Sequence, residues 1–328
     1  MSAAEFVASD HASCLDPASG SRSRLRLLGG EVDLVTPAEV MAFTARAVAE
    51  QRRAIVANHN LHSLHLLRRD AEMRAFYDRA HLIEADSTPL IAWGALLGRP
   101  IRRRHRATYL DWRELFWAEA TARGWRVFYL GGAPGVAASG AEAIRRRWPS
   151  VEIATRDGMF DMAGDANREI LCEIHAFKPD VLFVGMGMPR QERWILQNIC
   201  SLPPCVAFNV GAAFDYEAGA VPTPPRWTGR FGLEWLWRLC TEPRRLATRY
   251  LLEPWTLIPA AVRDVADRLR GRWSGRLLLK CTGSARSAWS APSRSVPPWT
   301  ARTRSLAKRV RPTRPPGVGQ INPDWIPG

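Results

Sequence analysis

Nowhere in its 328 residues does this chain hold an apolar run of the roughly 18 residues that span a bilayer, so a transmembrane protein is not expected. The opening lacks the basic-then-apolar order of an export signal before Arg22, which makes the cytoplasm the expected location. Cysteine is sparse: six residues at positions 14, 172, 200, 205, 240 and 281, with no Cys-x-x-Cys pair. That spacing excludes a disulfide scaffold and a cysteine-held metal, leaving buried free thiols as the default. Acidic residues are scarce towards the end of the chain. From residue 261 onward 14 Lys and Arg face 3 Asp, so +11 of the net +14 lies there and the body is nearly neutral. A nucleic-acid surface on the body is therefore not expected. Residues 281–328 also lack any helical or strand period and are rich in Ser, Pro, Gly and Arg, so a disordered basic tail is expected over 272–328. Such a tail suits an anionic lipid or another polyanion, or is an extension without a role.

What is present is an alternation of apolar and amphipathic segments. Residues 53–57, 125–130, 151–154, 181–184 and 206–210 read as short strands, and 135–147 and 166–177 as amphipathic helices. This order predicts an α/β fold, a Rossmann-like parallel sheet with helices on both faces, over residues 24–225. Residues 1–23 have weak pattern and read as a ragged N-terminus. Past Pro222-Thr-Pro-Pro225 tryptophans and arginines interleave, from Trp227 through Trp235, Trp237, Arg238, Arg244 and Arg249 to Trp255. Residues 226–271 are thus expected to form a helical appendage. Its Trp/Arg chemistry suits a membrane interface, or ordinary packing of a C-terminal helix.

The densest polar chemistry follows the apolar run 180–184, in Gly185-Met-Gly-Met-Pro-Arg-Gln-Glu-Arg-Trp194. Gly185 and Gly187 allow a sharp turn and close approach to a ligand, while Gln191 and Glu192 fall in the first turn of the next helix. Ligands of open α/β sheets bind at that carboxyl edge. The alternative is that Gln191 and Glu192 merely cap a helix. Gly131-Gly-Ala-Pro-Gly135 likewise follows a strand and opens a helix, so Gly131 and Gly132 could present backbone N–H groups to an anion or simply form a tight turn. It is neither a Walker loop nor a full Gly-x-Gly-x-x-Gly fingerprint, which weighs against an NAD-dependent oxidoreductase. By spacing alone Asp86, before Ser-Thr-Pro, reads as a helix N-cap or turn former. The spacing of His59, His62 and His65 fits a helix face as well as it fits a metal.

Six blocks together resemble the WecG/TagA/CpsF glycosyltransferases (glycosyltransferase family 26). They are Asn58-His-Asn60, Glu84-Ala-Asp-Ser-Thr-Pro-Leu90, Phe128-Tyr-Leu-Gly-Gly-Ala-Pro-Gly135, the Gly185–Trp194 block, Asn209-Val-Gly-Ala-Ala-Phe-Asp215, and Glu234-Trp-Leu-Trp-Arg238 with Glu242-Pro-Arg244. The likeness runs from about residue 30 to 257. It implies an inverting, metal-independent enzyme without a cofactor that moves a sugar from a UDP-sugar to a polyprenyl-diphosphate-linked acceptor in exopolysaccharide or surface-glycan synthesis. It also implies a peripheral position on the cytoplasmic face of the inner membrane; a homo-oligomer is compatible with it.

By this resemblance Asp86 is the base, although Ser87 stands where the family has Gly. Asn58 and Asn60 hold sugar or acceptor hydroxyls, Asn58 standing where Thr is usual. The pocket arginine is Arg104 or Arg106, depending on whether the count from Asp86 is shifted by two. Gly131, Gly132, Gly185, Gly187, Gln191 and Glu192 line the donor site, and Asp215 binds the uridine or caps a turn. Arg238, Arg244 and Arg249 neutralise the leaving diphosphate, and Thr223-Pro-Pro225 replaces the family's Arg-Ala-Pro. The rival reading is a non-catalytic nucleotide-binding module recruited to a polyanionic surface.

Overall fold

In a computed structural model, residues 24–225, 228 and 233–271 are described. The segments expected to be ragged (1–23) and disordered (272–328) lie outside them, as do 226, 227 and 229–232. The chain opens with two four-residue strands, β1 (Arg24–Leu27) and β2 (Gly30–Asp33), paired antiparallel. Leu28 and Gly29 turn between them at φ 52° and 88°, the doubly positive turn that matches strand twist, here imposed on a leucine at some cost.

The central sheet has six strands in the order β4-β3-β8-β7-β5-β6, all parallel. They are β3 (Ala54–His59), β4 (Leu82–Ala85), β5 (Arg126–Gly131), β6 (Glu152–Arg156), β7 (Val181–Gly185) and β8 (Val206–Asn209). Helices connect them: α1 (Pro37–Ala49), α2 (Leu61–Leu67), α3 (Ala71–Arg79), α4 (Thr88–Leu96), α5 (Tyr109–Arg123), α6 (Val136–Arg147), α7 (Asp165–Phe177), α8 (Arg190–Asn198) and α9 (Ala213–Glu217). The α/β expectation holds, with helices on both faces.

Strand periodicity explains the two cores. On β7, Leu182 and Val184 face a layer containing Met73 and Phe76 of α3, Ile170 and Ile174 of α7 and Trp194 of α8. Val181 and Phe183 face the other layer, with Val40 of α1, Trp112 and Phe116 of α5 and Ile144 of α6. Alternate side chains point to opposite faces, and both faces are apolar because both are covered. The connections start with local caps. Thr36 accepts from the Glu39 N–H at 3.3 Å while Glu39 accepts from the Thr36 N–H at 2.8 Å, a reciprocal box that satisfies first-turn donors of α1.

The hairpin was not anticipated, because two four-residue strands give too short a period. Leu82–Ala85, open to either assignment in sequence, is a strand. Cysteines are also mixed: Cys205 is buried, its thiol pushed up to about 12 by loss of solvent, but Cys172 and Cys240 are exposed and Cys200 is disulfide-bonded, which corrects the expectation of free buried thiols. Cys172 and Cys240 lie on helix faces turned to water.

Residues 233–271 are helical: α10 (Glu234–Thr241), α11 (Pro243–Ala247), a π-helical turn Thr248–Leu252, a 3-10 turn Glu253–Leu257 and α12 (Ile258–Leu269). They pack back on the α/β body. Asp264 of α12 accepts from the strained Leu28 N–H at 2.8 Å and from Trp93 Nε1 at 2.9 Å. His62 Nδ1 meets Glu253 Oε2 at 2.5 Å, and His65 Nδ1 meets Thr256 Oγ1 at 2.7 Å. None of the helices described is long and apolar enough to cross a membrane.

Candidate active site

Because all six strands run the same way, their carboxyl ends share one edge, and the sequence blocks singled out above gather there. β3 delivers Asn58, His59 and Asn60, β4 delivers Asp86, β5 Gly131, β7 Gly185 and β8 Asn209. The β3–β4 register pairs His59 with Ala85, and the Asp86 N–H continues the ladder by donating to His59 O at 2.9 Å.

Asp86 does not cap α4. Ser87 is the N-cap, its Oγ accepting from the Leu90 N–H at 3.4 Å. The Asp86 carboxylate makes no hydrogen bond among the described residues and keeps some open surface, yet protein crowds around it. That desolvation raises its pKa from 3.8 to about 7; the guanidinium groups of Arg106 and Arg238 pull it back down, and the carboxylates of Glu234 and Asp111 push it up. A carboxyl group poised there can hold a proton or take one at neutral pH.

Sequence counting left Arg104 and Arg106 open, and the fold separates them. Ala107 N–H donates to Ala85 O at 3.2 Å and Arg106 bridges to Ala85, so the Arg106 backbone runs beside the end of β4. Its side chain is 9% exposed; Nη2 donates to Glu234 Oε2 of α10, and Nε lies 3.7 Å from Asp111 Oδ2. Arg104 is exposed on a 3-10 turn. Of the appendage arginines, Arg238 lies on the ring of Tyr216 at 5.5 Å and hydrogen-bonds its hydroxyl. Its charge reaches Asp86, and that of Arg249 reaches Glu192. Arg244 is exposed.

Gln191 and Glu192 are both buried, and neither caps α8, whose N-cap is Pro189 without a side-chain bond. Instead Gln191 Oε1 accepts from the Gly211 N–H at 3.1 Å, Gln191 Nε2 donates to Glu192 Oε1 at 2.7 Å, and Asn209 Nδ2 donates to the same oxygen at 2.8 Å. Asn209 Oδ1 in turn accepts from the Asn58 N–H at 3.1 Å, and Asn58 Nδ2 donates to Asn209 O at 2.6 Å. Tyr77 closes the chain, its hydroxyl donating to Asn58 O at 2.7 Å. One polar network therefore ties the ends of β3, β7 and β8 together. Burial raises the Glu192 pKa to about 7 against the bonds from Asn209 and Gln191, and its Oε2 is buried with no partner among the described residues. Asn60 is the N-cap of α2, its Oδ1 accepting from the Ser63 N–H at 3.0 Å.

Two of the glycines do something other than face a ligand. A Cβ on Gly185 would stand 2.3 Å from the Tyr129 hydroxyl and 2.4 Å from Gly211 O, and one on Gly131 2.3 Å from Gly185 O. Chain packs against chain there. Gly187 and Gly132, at φ 77° and 73°, make the left-handed turns that start the loops. Asp215 is buried in the first turn of α9. The three histidines diverge: His59 is fully buried and stacked on Tyr77 at 3.8 Å, its pKa lowered to about 3 by burial, while His62 and His65 face the appendage. Among the described residues no three His, Cys, Asp or Glu side chains form a metal-binding group.

Sequence reasoning did not single out Asn209, Tyr77 or Glu234. Asn209 and Glu234 open two of the quoted motifs, and that position was the available signal. Tyr77 lies inside α3, where nothing local marks it; Asp111 came with the shifted count that selects Arg106, and the two side chains do lie together.

An open parallel sheet with a desolvated carboxylate and two guanidinium groups at its carboxyl edge forms a ligand-binding edge suited to an anionic group. The sequence profile of the Glycosyl transferase WecG/TagA/CpsF family matches residues 25–271, and the chain belongs to this family. It is similar to the N-acetylglucosaminyldiphosphoundecaprenol N-acetyl-beta-D-mannosaminyltransferase of Bacillus spizizenii, with 34% identity over 171 residues, 52% of this chain and 65% of that one. The protein of the same name from Staphylococcus aureus is 28% identical over 169 residues, again 52% and 65%. The chain thus spans less than two thirds of either relative.

Proposed function

We propose that this protein is an inverting glycosyltransferase that moves a sugar from a UDP-sugar to a polyprenyl-diphosphate-linked acceptor in exopolysaccharide or other surface-glycan synthesis. The observation that carries the reading is the Asp86 carboxylate, without a hydrogen bond among the described residues and desolvated at the carboxyl edge, with guanidinium groups of the body and of the appendage beside it. The names of the two relatives make N-acetylmannosamine the first sugar to test, and undecaprenyl-diphosphate-linked N-acetylglucosamine the first acceptor.

In the reaction, Asp86 accepts the proton of the acceptor hydroxyl as that oxygen forms its bond to the anomeric carbon. The bond from that carbon to the diphosphate breaks on the opposite face, and its electron pair leaves with UDP. Arg106 and Arg238 neutralise the diphosphate, guanidinium groups taking the part a cation would otherwise play. Gln191, Glu192, Asn209 and Asn58 hold the loops of the donor site in register, and Asn60 stands beside the acceptor. The appendage adds the membrane contact: Leu252, Trp255 and Val262 are 63%, 66% and 61% exposed, apolar side chains suited to the lipid surface that carries the acceptor.

Purified protein incubated with UDP-N-acetylmannosamine and other UDP-sugars, and with a polyprenyl-diphosphate-linked N-acetylglucosamine acceptor, is expected to release UDP and to yield a product heavier by one sugar. Tight UDP binding with neither UDP release nor product from any donor would instead leave a binding module.

A further inference from the structure

The carboxylates around Arg106 outnumber what one guanidinium can serve, and they come from different parts of the chain. Asp86 ends β4, Asp111 lies in the first turn of α5, and Glu234 opens α10 of the appendage. Only the last two are engaged: Arg106 Nη2 donates to Glu234, Arg106 Nε is 3.7 Å from Asp111, and Asp111 is itself held by the Thr108 hydroxyl at 3.0 Å. Asp86, beside the Arg106 backbone, receives no hydrogen bond from it.

We propose that Glu234 is a positioning residue of the transfer reaction: by holding the Arg106 guanidinium on the appendage side, it keeps that cation off Asp86 and leaves the Asp86 carboxylate free to take a proton. The inference rests on the reading of Asp86 as the base. Without the Glu234 charge, Arg106 is left with Asp111 and with Asp86, whose titration already feels its charge, and a carboxylate in a direct charge-assisted pair is a weaker base. Glu234 and Arg106 are 25% and 9% exposed at the side chain, so solvent screens their pairing only in part.

The other groups facing Asp86 are fixed by their own elements. Burial pushes the Glu84 carboxyl of β4 well above the usual carboxylate range. Burial likewise raises the pKa of Tyr77 of α3 and of Tyr216 of α9. Arg238 of α10 is occupied by Tyr216. Glu234 therefore stands out as the group whose removal redirects a cation onto the base. α10 thus brings two opposed charges to the pocket, Arg238 for the leaving group and Glu234 to restrain Arg106.

The test is a carbon-13 NMR titration of the Asp side-chain carboxyls in the full chain, with Asp86→Asn identifying the Asp86 signal. In wild type its midpoint is expected near pH 7. In Glu234→Gln it should move to lower pH by about half a pH unit or more, the scale of one partly screened charge a few ångströms away. In Glu234→Asp, which keeps the charge, it should stay closer to wild type than in Glu234→Gln. An unmoved or raised midpoint in Glu234→Gln overturns the inference, as does an equal shift in Glu234→Asp. Thermal unfolding of each variant confirms that it is folded, and Glu234→Ser is titrated in place of Glu234→Gln if the latter does not fold. The titration needs no turnover, so a protein inactive with every donor would sink the glycosyltransferase reading while this measurement still decides what Glu234 does. In an active protein the acid limb of kcat/KM moves with the same midpoint.

Discussion

Replacing Asp86 with Asn keeps the size and shape of the side chain and removes its ability to accept a proton, and the structure fixes two consequences of opposite sign. For activity, loss of a general base costs roughly 100- to 10,000-fold in turnover, while UDP binding stays nearly intact. For stability, the folded-state pKa of Asp86 is raised from 3.8 to about 7, so the folded protein binds a proton that the unfolded chain has released. Folding is then penalised as pH rises from about 4 to 7, and the penalty is complete above 7. At 1.36 kcal/mol per tenfold the upper bound is about 4 kcal/mol. The carboxylate keeps a face open to solvent, which brings the expected gain from Asp86→Asn to about 1–2 kcal/mol above pH 7. The gain shrinks as pH falls towards 4. The assay pairs turnover from pH 5.5 to 9 with urea unfolding at pH 4.5 and 8.5. In wild type, turnover should fall below about pH 7 as the base is protonated. Turnover within a few-fold of wild type, or a variant less stable than wild type at pH 8.5, would refute the assignment.

Three further outcomes are expected. Arg106→Gln should lower turnover at least about tenfold through weaker charge stabilisation of the leaving group, whereas Arg104→Gln, at an exposed position, should stay within about twofold; steady-state kinetics of the pair decides which arginine serves the pocket. Gln191→Ala leaves the Gly211 N–H and one Glu192 contact unsupported, and should weaken UDP binding by calorimetry while destabilising the fold by about 1 kcal/mol. Asp264→Ala strips acceptors from the Leu28 N–H and from Trp93 and should cost about 2–3 kcal/mol in denaturant unfolding, with turnover per folded molecule retained.

Most of the sheet was legible because a parallel strand buried on both faces must be a short, continuous apolar run, and β3, β5, β7 and β8 are such runs. β4 was ambiguous because Glu84 interrupts its apolar character, and only the surrounding protein buries that side chain and raises its pKa. The hairpin β1–β2 was invisible because its turn depends on Leu28 in a left-handed conformation, held by a side chain 236 residues away. Motif order brought Asp86, Gln191 and Glu192 to attention, but spacing could not show that Ser87 rather than Asp86 caps α4, or that Gln191 and Glu192 turn inward. Nor could counting choose between Arg104 and Arg106, since the choice rests on one bridge between Arg106 and the end of β4. The restraint of Arg106 by Glu234 spans 128 residues, and no local pattern announces a contact of that range.

The grip of Asp264 on the Leu28 turn bears on the order in which the chain becomes competent during synthesis. Strands β3 to β8 and the Gln191–Glu192–Asn209–Asn58 network are complete once residue 218 has emerged from the ribosome, so the sheet can condense early around largely sequential β-α units. The first residues described must then wait for nearly the last, because the hairpin turn finds its acceptor only when α12 arrives. Glu234 and Arg238, which precede α12 in the chain, also emerge after the sheet. A nascent chain thus carries Asp86 and the Gly131 and Gly185 loops before it has the opposed charges of Glu234 and Arg238, which come late.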